Sequence, residues 1–259
     1  MDRKTGVENK SQAKVRVSRN TSDTHRDISH FTEGEEALET RSPVCAEVPV
    51  TGPLRTAEFM SAASRGQLDV IDKYLADGGD PNVHDELKRT ALHRASLEGH
   101  TAVVQRLLDE GADINSKDGL GSRAIHWACR GGSLGVVKAL KSRGADLNIS
   151  DKLNSTPLHV ATRTGHAAVV EYLLSSGAKI DSRDREGDTA LHDAVHLNRY
   201  KIVKLLLIAG ADTQIRNHEG VTAVQQVKQW QSDIMETLQR LEMLKEVELL
   251  QPQNGTREK

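Results

Sequence analysis

A period of 33 residues constrains this sequence more than any other feature. Residues 156–159 (Thr-Pro-Leu-His) recur with substitutions in neighbouring periods, and no residue is inserted or lost between copies. The copies begin at Thr90, Arg123, Thr156 and Thr189, and a degraded copy begins at Thr222. Glycines keep the same spacing at Gly66, Gly99, Gly132 and Gly165, and again at Gly78, Gly111, Gly144, Gly177 and Gly210. Self-similarity at a fixed period predicts a repeat architecture.

Each period predicts two short helices and a turn. A threonine before Ala or Pro, as at Thr156, is typical of a helix N-cap, and Pro157 suits the first helical position. A glycine such as Gly99 can adopt the left-handed conformation that ends this helix. The second helix has one apolar face, formed in residues 103–108 by Val and Leu. The remaining Asp, Gly and Asn residues predict a tight projecting turn.

The helix and turn pattern resembles the ankyrin repeat. That resemblance implies an all-α ankyrin solenoid of about six helix-turn-helix units with projecting β-type turns. The units begin near residues 57, 90, 123, 156, 189 and 222. We expect the first and last units to be caps, the last continuing through Trp230, Ile234, Leu238, Leu241, Leu244 and Val247 as a longer closing helix.

The repeat domain is predicted to fill residues 54–250, with distinct segments on either side. Residues 1–53 are polar and lack periodicity, so we expect a disordered N-terminal arm, and residues 251–259 read as a polar tail. Inside the array, Lys141 replaces a leucine found in the other units. We expect its stem to lie along apolar surface with its ammonium in water.

Charge and composition favour protein partners. The formal net charge is −2, which gives no reason to expect direct binding to nucleic acid or to an anionic membrane. No apolar run approaches the length of a membrane span. Two cysteines cannot form a disulfide framework, and the first residues have no apolar core like that of a signal peptide, so we expect an intracellular location.

Two patterns suggest chemistry and are better explained by the repeat. His93, His126, His159 and His192 lie one period apart, so they should form a row of hydrogen-bonding residues at helix starts rather than a metal cage. Residues 131–135 match G-x-S-x-G, which would make a hydrolase using Ser133 the alternative. That motif needs a strand-to-helix elbow, whereas Gly132 is predicted to join two helices. We therefore predict no catalytic, metal or cofactor site.

The ankyrin resemblance implies a concave groove formed by the projecting turns and the first helices. Variable positions in that groove are the predicted partner-binding residues. On the turns they are Glu86, Leu87, Arg89, Leu120, Ser122, Lys152, Leu153, Ser155, Arg185, Glu186 and Asp188. On the first helices they are Leu97, Glu98, Arg130, Arg163, His196 and Leu197.

Three leucines, Leu87, Leu120 and Leu153, share one turn-tip position in successive units. We call them the leucine ladder. If exposed and flanked by Arg89, Lys152 and Arg163, they would form an apolar binding surface with a polar rim. The alternative is that each leucine folds back onto its own turn.

Longer segments point to one branch of ankyrin proteins. They are residues 88–100, 125–132 (Ile-His-Trp-Ala-Cys-Arg-Gly-Gly), 184–195 and 197–201. Together these are similar to the muscle ankyrin repeat proteins, the family with cardiac, skeletal and diabetes-related members. Residues 76–79 and 227–230 resemble most closely the skeletal-muscle branch.

This second resemblance implies a stretch- or stress-responsive adaptor that binds titin in the sarcomeric I-band and associates with myopalladin-like proteins. It also implies entry into the nucleus and action with transcription factors as a co-regulator, so the expected locations are cytoplasm and nucleus. Homodimerisation stays open without support from this sequence, because the arm lacks sustained heptads. The alternative function is an ankyrin-repeat inhibitor, or a subunit of a different signalling or transcription complex.

Overall fold

Paired short helices make up most of the structure, a computed structural model that describes residues 56–228 and 231–240. The pairs are α1 (Thr56–Arg65) and α2 (Leu68–Ala76), α3 (Ala91–Glu98) and α4 (Thr101–Asp109), α5 (Ala124–Gly131) and α6 (Leu134–Ser142), α7 (Pro157–Thr164) and α8 (Ala167–Ser175), and α9 (Ala190–His196) and α10 (Tyr200–Ile208). Residues 232–240 are also helical. The predicted arm at 1–53 and the tail at 251–259 lie outside the described residues.

The first helix of a unit begins and ends where the sequence predicts. Thr90, Thr156 and Thr189 occupy N-cap positions with extended backbone angles, and Pro157 follows one of them at the first helical position. The glycines after α3, α5 and α7 are left-handed, with φ of 83°, 70° and 85°. Asn198 takes a φ of 54° at the equivalent position after α9. The predicted helix starts and stops are therefore confirmed in these units.

The helices form two layers. The first helices α1, α3, α5, α7 and α9 pack in that order, and the second helices α2, α4, α6, α8 and α10 pack in the same order beside them. The core between them is aliphatic, with Leu92, Leu107, Leu140, Leu158 and Leu173 among the fully buried side chains. Each such leucine contributes about 1.5–3 kcal/mol by leaving water. The predicted all-α solenoid is confirmed.

The projecting turns repeat one hydrogen-bonding pattern. Asp118 Oδ1 accepts from the amides of Leu120 (2.9 Å) and Ser122 (2.8 Å). Asp85, Asp151, Asp184 and Asn217 do the same in their own turns. Within the described residues, β structure is limited to two isolated bridges, His84 with Thr90 and Arg216 with Thr222.

Backbone hydrogen bonds also join successive turns. The amide of Gly119 donates to Leu87 O (2.8 Å), that of Lys152 to Leu120 O (3.0 Å), and that of Arg185 to Leu153 O (2.9 Å). Each bond fixes one turn tip against the next. The tips therefore form a continuous row in which the carbonyls of the leucine ladder are already used.

The last unit differs from its predicted form. Residues 223–226 form turns, although the sequence predicts that a helix begins near Thr222. Gln225 replaces the usual histidine and its Oε1 still accepts from the Thr222 amide (3.0 Å). Gln231 stands where other units have glycine or asparagine, and its side chain accepts from the Lys228 amide (2.7 Å); the next helix begins at residue 232.

The closing helix is confirmed only as far as it is described. Ile234 and Leu238 are buried, as the predicted apolar stripe requires. Trp230, Leu241, Leu244 and Val247 lie outside the described residues. In the described part of the chain, every helix is too short or too polar to cross a bilayer.

Lys141 makes a contact that the sequence did not predict. Its side chain is half-buried, and Nζ donates to Ser176 O (3.2 Å) at the C-terminal end of α8. Carbonyls at a helix C-terminus lack partners within the helix and carry partial negative charge, so they attract a cation. The lysine therefore links two units.

Candidate binding surface

The histidine row holds the turn tips in place. The amide of Thr90 donates to His93 Nδ1 (3.1 Å), so this nitrogen is an acceptor and the ring proton is on Nε2. Nε2 then donates to Ser122 O (3.1 Å) in the next turn. His126, His159 and His192 repeat both contacts, reaching Ser155 O, Asp188 O and Val221 O. The predicted hydrogen-bonding role of these histidines is confirmed.

Burial favours the neutral form of His93, His126 and His159. Desolvation lowers the pKa of His93, His126 and His159 below the ordinary histidine value, although carbonyl and carboxylate neighbours oppose the shift. Protonation of Nδ1 would remove the acceptor that caps the helix. The neutral form is therefore part of the fold, and both ring nitrogens are engaged within the protein.

Ser133 has the surroundings of a helix-start residue rather than of a nucleophile. It precedes α6, directly after the left-handed Gly132 that ends α5. Its Oγ is directed to Leu97 O at 3.5 Å. The strand-to-helix elbow that a G-x-S-x-G nucleophile requires is replaced here by a turn between two helices.

Most of the predicted partner-binding residues lie on the open surface. Exposed are Glu86, Leu87, Glu98, Leu120, Arg130, Lys152, Leu153, Arg185, Glu186, His196 and Leu197. Arg89, Leu97, Arg163 and Asp188 are half-buried. Ser122 and Ser155 are buried, and their carbonyls receive the histidine hydrogen bonds, so these two serines belong to the interior.

The leucine ladder is exposed to solvent. Leu87, Leu120 and Leu153 are 59%, 58% and 42% exposed, so they do not fold back onto their own turns. Glu186 and Glu219 follow them at the same turn position in the next two units. The row of turn tips therefore changes from apolar to acidic along the stack.

Trp127, on α5, is a buried side chain beside the turn tips that was not among the predicted partner-binding residues. Its Nε1 donates to Asp118 Oδ2 (2.9 Å), and the Arg130 guanidinium lies 5.5 Å from its ring centroid. A cavity of about 460 Å³ opens beside it. We call this the Trp127 cavity; its lining residues are Leu87, Arg89, Asp118, Gly119, Leu120, Trp127 and Arg130.

The sequence does contain a feature that marks the position of Trp127 as unusual. Equivalent positions one period apart hold Arg94, Trp127, Val160 and Asp193, four unrelated side chains in a repeat that is otherwise regular. Arg94 and Trp127 each bond the turn aspartate of their own unit, Asp85 and Asp118 respectively. Variation at this position therefore changes the side chain that borders the groove, while the aspartate that holds the turn is kept.

Arg163 and Lys152, which the sequence suggests as part of a polar rim of the leucine ladder, both make contacts within the chain. Arg163 pairs with Asp184 and, through Nε, with Asp193 Oδ2 (2.8 Å). Burial raises the pKa of Asp193 to about 6, although the charge of Arg163 and its hydrogen bond act to lower it. Lys152 Nζ donates to Gly119 O (2.7 Å) of the neighbouring tip.

The charge of the surface differs between its two ends. Beside α3, Arg89 and Arg94 both pair with Asp85. Burial by itself raises the pKa of Asp85, yet hydrogen bonds from the Arg89 backbone and from the Arg94 and Arg89 side chains hold it down at about 2. Near α9 a second cavity of about 430 Å³ is polar, and it is lined by Arg185, Glu186, Asp188, His196, Asn217, His218, Glu219 and Gln226.

Comparison with known proteins agrees with this architecture. The family model described as "Ankyrin repeats (3 copies)" matches residues 59–151 and again residues 125–217. Ankyrin repeat domain-containing protein 2 of Mus musculus is 56% identical over 45 residues, which are 17% of this chain and 14% of the relative. Ankyrin repeat domain-containing protein 1 of Xenopus laevis is 55% identical over 47 residues, 18% of this chain and 15% of the relative.

A third relative gives a similar match. Ankyrin repeat domain-containing protein 2 of Homo sapiens is 53% identical over 46 residues, which are 18% of this chain and 13% of the relative. In these three matches the aligned segments thus span about one seventh of the relatives' length.

Proposed function

Because this chain belongs to the ankyrin repeat family, we propose that it is a non-enzymatic adaptor that binds another protein along its row of turn tips. The observation that carries this proposal is the exposed leucine ladder. Leu87, Leu120 and Leu153 stand in water on turns that are held by aspartates, by backbone bonds and by the histidine row. A rigid row of apolar side chains is suited to contact with a partner.

The energetics favour partner contact over solvent exposure. Covering each leucine would contribute on the order of 1 kcal/mol, since about half of the side chain still faces water. Charged residues such as Glu86 and Arg130 surround this apolar strip. An apolar centre with a polar rim is the usual anatomy of a protein–protein interface.

We further propose that the partners are sarcomeric and nuclear. The narrower role is an adaptor for titin and myopalladin-like proteins at the I-band that also acts with transcription factors in the nucleus. Its support is the resemblance of residues 88–100, 184–195 and 197–201 to the muscle ankyrin repeat proteins, together with the partial matches to ankyrin repeat domain-containing proteins 1 and 2.

The test replaces the leucine ladder with serine. We expect the triple variant Leu87→Ser, Leu120→Ser and Leu153→Ser to keep its melting temperature within a few degrees, because these side chains are outside the core. Capture of titin fragments from striated-muscle lysate should fall at least tenfold. The matched control is Ile208→Ser, which alters an 82% exposed apolar residue on α10, in the other helix layer.

The outcomes separate the candidate functions. Undiminished capture of titin by the triple variant would reject the leucine ladder as the binding surface. Stable capture of a transcription factor or kinase in place of titin would favour the alternative, an inhibitor or subunit of another complex. Loss of folding in the triple variant would assign the leucines to the core.

A further inference from the structure

The Trp127 cavity combines an apolar wall with a cation that is free to pair. Leu87 and Leu120 border it from adjacent turn tips, and Trp127 forms its floor on α5. The Trp127 ring is mostly buried, so the open apolar surface is that of the two leucines. An apolar side chain of a partner placed here would contact leucines from two units at once.

The charges around the cavity favour a carboxylate beside that apolar side chain. Arg130 is exposed and makes no ion pair with any residue in the described ranges, while Arg89 keeps only its Nε on Asp85. Asp118 is buried, and both its oxygens are occupied by the amides of its turn and the Trp127 indole. The cavity therefore offers cations and no open acceptor of its own.

The far end of the same surface has the opposite preference. Glu186 and Glu219 are exposed at turn tips, and Asp188 lies between them in the second cavity. Asp188 is half-buried and its Oδ1 already accepts from Asn217 Nδ2 (2.8 Å), so the two exposed glutamates are the carboxylates most open to a partner there. Arg185 offsets this charge only in part.

From these features we infer that the chain binds an extended protein segment in one direction. The segment places an apolar side chain with an adjacent Asp or Glu in the Trp127 cavity, and a basic residue at Glu186 and Glu219. The inference rests on the proposed function and specifies the ligand chemistry of that surface. Opposite charges at the two ends fix the orientation, because the reversed segment meets like charges at both.

Nucleic acid fits this surface less well than protein. A tryptophan and an arginine together can stack on a base, but the indole is mostly buried and its N–H is already bonded to Asp118. A phosphate backbone continuing along the tips would then meet Glu186 and Glu219. A protein segment with an acidic residue near one end and a basic residue near the other meets a complementary charge at each end of the surface.

The test is selection of 16-residue random peptides by phage display on the full chain and on the Arg130→Glu variant. We expect peptides enriched on the unaltered chain to carry Asp or Glu within two residues of a large apolar residue. Arg130 is exposed, so its replacement should leave the fold intact. By fluorescence anisotropy these peptides should bind the variant on the order of tenfold more weakly, a loss typical of one interfacial charge pair.

Orientation is tested with Glu186→Lys and Glu219→Lys in one variant, which should remove the enrichment for Lys and Arg at one end of the peptide. The control is Lys201→Glu, an exposed cation on α10 in the other helix layer. Enrichment without an acidic bias, enrichment insensitive to Arg130→Glu, absence of enrichment, or tighter binding of a single-stranded oligonucleotide would each overturn the inference. The proposed function is judged separately, by titin capture with the leucine-to-serine variant.

Discussion

Arg123 is a residue at odds with its place in the repeat. It is the N-cap of α5, with φ of −104° and ψ of 172°, where α3, α7 and α9 have threonines in nearly the same conformation. In those units the threonine hydroxyl lies 2.9 Å from the histidine Nδ1. Arg123 lacks this hydroxyl, and its Nε and Nη1 are buried without a hydrogen-bond partner.

We predict that Arg123→Thr stabilises the protein. The substitution restores a capping hydroxyl and removes two buried unpaired nitrogens, so the free energy of unfolding should rise by about 1 kcal/mol. Urea denaturation followed by circular dichroism measures this change. The control is Thr156→Arg, which should lower the free energy of unfolding by a similar amount, and a lower stability of Arg123→Thr would contradict the explanation.

At the scale of single residues, some side-chain contacts could not be predicted from the sequence. The periodic positions predicted the helix starts, the left-handed glycines and the histidine hydrogen bonds, because each depends on neighbours within one or two units. Arg163 forms ion pairs with Asp184 and Asp193, which come close to it only when the units stack. Its role as an internal ion-pair partner was therefore not visible in the spacing, and neither was the packing of Trp127 against Asp118.

Packing between helices α3 and α5 depends on Gly131. The sequence gives no sign of this, because the equivalent positions in other units hold unrelated residues. A Cβ at Gly131 would lie 1.9 Å from Leu97 O, which is backbone and cannot rotate away. We predict that Gly131→Ala lowers the free energy of unfolding by about 2 kcal/mol or more, because α5 must move away from α3. Thermal and urea unfolding both report the loss.

Gly135, in α6, is the matched control. A Cβ there would meet only the Thr101 hydroxyl, at 3.1 Å, which can rotate. Alanine also favours a helix interior by about 0.5–1 kcal/mol over glycine, so Gly135→Ala should be neutral or stabilising. Equal losses at both glycines would show that the short distance from Gly131 to Leu97 does not matter.

At the scale of elements the sequence predicted the first helices of the second to fifth units, and it also predicted one near Thr222 that the structure lacks. An αL glycine ends the first helix in the second, third and fourth units, and a threonine caps it in the second and fourth, with Arg123 at that position in the third. The predicted helices are present in all three units. The last unit keeps Thr222 and replaces the histidine by Gln225, which still bonds the Thr222 amide. Downstream, the side-chain amide of Gln231 donates to Val195 O (2.7 Å) of the preceding unit, a contact that the repeat pattern did not predict.

Across the whole repeat region, the histidine row makes stability sensitive to acid. The folded-state pKa values of His93, His126 and His159 are below the ordinary value of 6.5, so the unfolded chain takes up protons first as the pH falls. The free energy of unfolding should therefore decrease from pH 6.5 downward, by up to about 1.4 kcal/mol per pH unit for each histidine. Urea titrations between pH 7.5 and 5 measure the slope.

Asp193 acts in the opposite direction. Its folded-state pKa of about 6 lies above the ordinary value of 3.8, so its contribution is largest at low pH and is lost as the pH rises between these values. Three histidines outweigh one carboxylate, and the net change on acidification is destabilising. The control is His126→Gln, the solution that the chain itself uses at Gln225; this variant should show a shallower slope, and an unchanged slope would exclude the histidine row as the cause.

The even spacing of the leucine ladder affects how a bound partner would be aligned with the repeat units. Leu87, Leu120 and Leu153 present the same side chain on the same backbone in consecutive units, so an apolar partner displaced by one unit would lose little contact. The change to Glu186 removes this degeneracy, since a displaced segment brings its charges against the wrong unit. In the proposed complex, the change from Leu153 to Glu186 would therefore determine which unit each part of the partner contacts.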